Sequence, residues 1–176
     1  VDRSAVEKTG QELFDFATNR EDVKWLMAHL APEAKLRCET VEYELQILKI
    51  ISVGWSISYY LAEHELNQPL SQWYWAAIQE FSNNLSTTTE LMIGKNINYF
   101  EVLKSRLDMY VNAMAHTPAG SDATQVIGSR FAETCGDANN IFAFMTGSKL
   151  FINVTGHISA YIDAIVHAPA DPSKLH

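Results

Sequence analysis

The residues able to do chemistry in this 176-residue chain are few and scattered. His157 is the most suggestive, one helical turn after Asn153 and one before Tyr161, a polar strip beside an apolar seam. Histidine titrates near neutrality, so a strip of this kind facing a cavity could bind a ligand or exchange protons. A hydrogen-bonded histidine at the edge of a core uses the same spacing. Tyr60 with His64, Asn112 with His116, and Asp163 with His167 repeat the step near helix ends, where interaction with terminal carbonyls accounts for them. The signatures of a bundle metal site or a hydrolase are missing: there is no ExxH, no HExxH, no histidine pair at i, i+4 and no GxSxG. Thr146-Gly147-Ser148-Lys149 ends like a phosphate loop but lacks the upstream glycine and the preceding strand.

Carboxylates are the next candidates. Glu12 and Asp15 make an ExxD step, and Glu39, Glu42 and Glu44 cluster on the following long segment. Facing helices with such pairs can hold Mg²⁺ for pyrophosphate hydrolysis. The all-α nucleotide pyrophosphohydrolases place ExxE before ExxD, the reverse of the order here, so these acids are read as solvated helix faces. No metal and no cofactor are expected. Cys38 and Cys135 share no CxxC spacing and are expected to be buried thiols, with a single long-loop disulfide as the alternative.

Thirteen Lys and Arg against twenty-one Asp and Glu give a formal charge of −8, and the cations do not cluster, which argues against nucleic acid as a partner. The stretch 45–61 is rich in Ile, Val, Trp and Tyr but contains Gln46 and Lys49 and falls short of the roughly 20 apolar residues a membrane span needs. No signal peptide is visible, which favours the cytoplasm. The start at Val1 leaves room for a removed upstream segment and an exported form.

Trp73-Tyr74-Trp75 cannot all face one way. With Tyr74 in the buried stripe, the two indoles fall about 100° to either side, at the edges of the core face. Together with Leu70 they form a candidate contact patch for a protein partner or a homodimer. The alternative is that both indoles pack against neighbouring helices.

Positioning these residues requires helices. Hydrophobic residues make up 47% of the chain, and they recur at spacings of three and four almost throughout. Ser4 and Glu7 read as a capping box, Pro32 as a first-turn proline opening a run over 33–66, and Ser71 and Ser121 as N-caps. Gly94 and Gly136-Asp137 read as breaks. The run 33–66 is apolar on nearly every side at its middle, and with 139–166 it forms the expected centre of the domain. A buried stripe is expected through Tyr74, Ile78, Phe81, Leu85, Thr88 and Met92.

The sequence therefore predicts an all-α bundle of about six helices over 1–168, with a loose tail at 169–176. Its expected function is that of an acidic binding or regulatory module acting through protein contact, with no enzymatic signature. The alternative is a small-molecule pocket, possibly an enzyme's, whose polar points are His157, Asn153 and Tyr161.

Overall fold

A computed structural model describes residues 2–116 and 122–167. Among them are seven α-helices, one 3-10 turn and no strand: α1 (Arg3–Thr18), α2 (Glu21–Ala28), the turn Pro32–Ala34, α3 (Cys38–Tyr60), α4 (Asn67–Ile93), α5 (Tyr99–Ala115), α6 (Ala123–Thr134) and α7 (Ile141–Val166). The expected all-α bundle is present. No helix is long and apolar enough to cross a membrane among the described residues.

The architecture follows from α3. Val41, Leu45, Leu48, Val53 and Ile57 point to different sides of one helix and are all fully buried, so α3 must be surrounded. It packs against each of the other six helices, and α7 lies along it as the second central element. The polar residues that α3 takes inside include two charged ones, and each of these is given a partner. Glu44 receives a bidentate guanidinium from Arg106 of α5, at 2.8 and 2.9 Å. Lys49 donates to Asp22 at 2.8 Å and to the Asn19 carbonyl at 2.7 Å, and its ammonium lies 4.5 Å from the centre of the Phe16 ring. Burial pushes the Lys49 pKa down, while the bond to Asp22 opposes that shift.

Several helix ends differ from the sequence expectation. Asp2, not Ser4, caps α1, its carboxylate accepting from the Ser4 N–H at 3.0 Å. Pro32 opens the 3-10 turn instead of α3, because Lys35 turns the chain into the left-handed region at φ 51° and the long helix starts only at Cys38. Ser71 lies inside α4, which begins four residues earlier, and its hydroxyl bonds the Asn67 side chain at 3.3 Å. Gly94 (φ 66°) stops α4 and Gly136 (φ 91°) separates α6 from α7, both in a region that favours glycine. Ser121 and the tail 169–176 lie outside the described residues, and α6 is capped by Asp122, whose carboxylate accepts from Thr124 N–H.

The buried stripe of α4 is shorter than its sequence pattern. Leu70, Tyr74, Ile78 and Ser82 are buried, but Leu85 is exposed and Met92 is 78% exposed. A helix of 27 residues is about 40 Å long, and its last turns run past the helices that cover its first half. The two cysteines are not bonded to each other: Cys38 is exposed and Cys135 buried.

Helices α6 and α7 meet through small residues. A Cβ at Gly128 would sit 2.2 Å from Ser148 Oγ and 2.8 Å from the Phe144 carbonyl oxygen, and the carbonyl cannot move without its helix. Gly128→Ala should therefore lower stability by about 1–3 kcal/mol through overpacking. Urea denaturation of the variant checks this, and a loss below about 0.5 kcal/mol would show that the two helices separate freely.

Candidate functional site

The polar strip of α7 is split between two neighbouring helices. His157 is exposed and lies flat on Phe16 of α1, with ring centroids 4.5 Å apart and planes 11° apart. Tyr161, half-buried, donates its hydroxyl to Glu12 of α1, and burial together with that carboxylate pushes its pKa up. Asn153 is exposed and turned toward α2, where it shares a groove with Trp25 and Lys149. The helical spacing placed these three in one row, yet two neighbouring helices divide the row between them.

The indoles of α4 are seated on glycines. A Cβ at Gly10 of α1 would lie 2.4 Å from Trp73, and one at Gly54 of α3 would lie 2.3 Å from Trp75. Each Trp thus fills a notch that only glycine leaves open, and both are half-buried. Tyr74 between them is fully buried and donates to the Ile50 carbonyl at 2.8 Å. Leu70 is 2% exposed and belongs to the core, so it is not available to a partner. The indoles knit α4 to α1 and α3, packing against neighbouring helices instead of standing out as a contact patch.

A different surface carries unpartnered apolar area. On α7, Ile141, Met145 and Ile152 are 57%, 59% and 53% exposed. At about 100° per residue they fall within about 40° of one another, well away from the buried seam of Phe151, Val154 and Ile158. Trp25 of α2 faces this row and is half exposed. Its ring stacks on His29, and the Lys149 ammonium sits 4.5 Å above its centre. Between the two helices runs a cavity of 530 Å³ floored by Leu26, Leu30 and Phe144 and edged by Trp25, Met145 and Ile152. Its α7 wall extends from Phe142 to Asn153, about 17 Å or three helical turns.

The charge of the groove differs from that of the chain. Among the described residues no carboxylate lines it, and Lys149 and His29 are the residues in its wall that can carry charge, although the formal net charge is −8. The sequence pattern of the core hid this face. The usable signal was a second apolar row on α7, at 141, 145 and 152, offset from the row that the core requires.

Burial, with Glu44 nearby, pushes the Cys135 thiol up to about 12, so it stays protonated at neutral pH and is a poor nucleophile. Among the described residues no three His, Cys, Asp or Glu side chains converge on a common point. No protein-family model matches the chain, and no curated protein or solved structure matches it either.

Proposed function

We propose that the chain is a binding module whose α2–α7 groove receives an amphipathic helix from a protein partner. The observation that carries this reading is the pair of exposed apolar residues Met145 and Ile152 set opposite Trp25 across an open cavity, with exposed Ile141 continuing their row beyond it. Such a surface is unfavourable in water until something apolar covers it, and each fully covered side chain contributes roughly 1.5–3 kcal/mol. A groove of about three turns fits a helix presenting residues at i, i+4 and i+7. Trp25 is the anchor, because a half-exposed indole brings large area at little entropic cost. Lys149 at the rim favours a partner helix with a carboxylate beside its apolar stripe. A second copy of the chain fits less well, since two molecules of formal charge −8 repel one another.

The test is selection of helical peptides from a displayed library against the wild-type protein. Peptides with an apolar i, i+4, i+7 face should be enriched, and Trp25→Ala should weaken them at least about 30-fold, near 2 kcal/mol. Trp25 is exposed enough that the variant should keep its far-UV circular dichroism. Peptides that bind Trp25→Ala and Ile152→Ser as tightly as wild type would overturn the proposal, as would self-association of the wild type through Trp25 in sedimentation.

A further inference from the structure

A second cavity, on the far side of α3 from α7, has a different character. It measures 350 Å³ and lies where α3, α4 and α5 meet beside the end of α1. Along α3 its wall runs from Glu39 through Tyr43 and Gln46 to Ile50, about 17 Å that changes from charged to aromatic to apolar. Phe81 and Leu103 complete the apolar end.

Polar groups in this wall lack partners. The Gln46 amide nitrogen is held by the Ala17 carbonyl at 2.8 Å, while its oxygen is buried and accepts no hydrogen bond among the described residues. Ser82, 5% exposed, lies in the same wall. A buried polar atom left unbonded is costly, and a ligand donor would relieve that cost. The Tyr43 hydroxyl also has no hydrogen-bond partner there, and burial with Glu44 nearby pushes its pKa up to about 12, so it remains a neutral phenol. Glu39 makes no ion pair among the described residues, whereas Glu42 beside it is neutralised by Arg20. The wall therefore keeps one uncompensated carboxylate. Two aromatic rings, Tyr43 and Tyr99, stand near it with centroids 6.1 Å apart.

We propose that this cleft between α3, α4 and α5 binds a small organic monocation, an ammonium group carried on an apolar body. The ammonium is placed toward Glu39, against the faces of Tyr43 and Tyr99, where a carboxylate and aromatic quadrupoles both favour positive charge. The hydrocarbon body lies toward Ile50, Phe81 and Leu103. The ammonium, the ligand's one hydrogen-bonding group, donates to the unbonded Gln46 oxygen as well as to Glu39, which fixes its orientation. An organic anion of the same shape meets Glu39 unpaired and is rejected.

The probe is 2-phenylethylamine, with 2-phenylethanol and phenylacetate as neutral and anionic counterparts of the same ring. Titration followed by protein NMR should give saturable shifts at Ser82, Tyr43 and Leu103 for the amine, weaker ones for the alcohol and none for phenylacetate. Glu39→Gln leaves the shape of the cleft intact and should weaken the amine at least fivefold while leaving the alcohol unchanged. Absence of saturable shifts overturns the proposal, as does equal binding of all three compounds or an amine affinity that Glu39→Gln leaves unchanged. Shifts centred on Trp25 instead would place the amine in the α2–α7 groove and also overturn it.

Discussion

Arg106→Leu should lower the unfolding free energy by about 3–5 kcal/mol, because it leaves the Glu44 carboxylate buried in the centre of the bundle without its counter-charge. The Glu44 side chain is 4% exposed, and both of its oxygens are taken up by the one guanidinium. The double substitution Glu44→Leu, Arg106→Leu should recover most of the loss, since two apolar side chains of similar volume remove the cost of desolvating both charges. Urea denaturation of wild type, both single variants and the double variant closes the cycle. Additive losses, with a double variant at least as unstable as the two singles summed, would show that the two groups do not act as a pair.

Alkaline unfolding should be abrupt, with its midpoint at about pH 11. Four tyrosines have pKa values raised by burial: Tyr74, Tyr110 and Tyr161, and Tyr43, which is pushed up to about 12. Cys135 is raised from 9.0 to about 12. A group whose folded pKa lies above its unfolded one contributes stability that is complete below the unfolded value and is lost as pH climbs toward the folded value. For Cys135 the loss begins near pH 9, and for the tyrosines near pH 10. Lys49 acts in the opposite sense. Its folded pKa is depressed below the ordinary 10.5, so the unfolded chain holds the proton longer and stability rises with pH until that value is passed. Lys49 therefore offsets Cys135 below about pH 10.5, and beyond it the two fully buried tyrosines, Tyr74 and Tyr110, each act at up to about 1.4 kcal/mol per pH unit, while Tyr43, Tyr161 and Cys135 add smaller amounts because solvent screens them. A stability of about 5–15 kcal/mol is exhausted within a unit or two. Tyrosinate absorbance followed beside far-UV circular dichroism reads the outcome. Four tyrosines should ionise late and together with the loss of helix. A smooth titration of all seven tyrosines near pH 10, with the helical signal intact at about pH 12, would refute the expected burial.

Lys49 and Arg106 drew little notice in the sequence, where Lys49 served only to argue against a membrane span and Arg106 belonged to no basic cluster. Their partners are 27 and 62 residues away, and no local spacing points to them. The proposed groove has the same origin. The row at 141, 145 and 152 is present in the sequence, but whether it faces another helix or water depends on which sides of α7 are taken by α3 and α6.

Periodicity and local stereochemistry, which the sequence carries by itself, determined the helical class, the central place of a helix apolar on all sides, and the breaks at Gly94 and Gly136. Each depends on side chains a few residues apart, so the information is local. Tertiary structure alone decided which half-apolar faces found partners. Trp73 and Trp75 met glycines on α1 and α3 and became packing, whereas Trp25, no less aromatic, met no such notch and remained half exposed. A helical wheel gives the direction in which a side chain points but not what stands in front of it. The row of Asn153, His157 and Tyr161 was divided for that reason, Asn153 turning toward α2 while Phe16 and Glu12 of α1 took the other two.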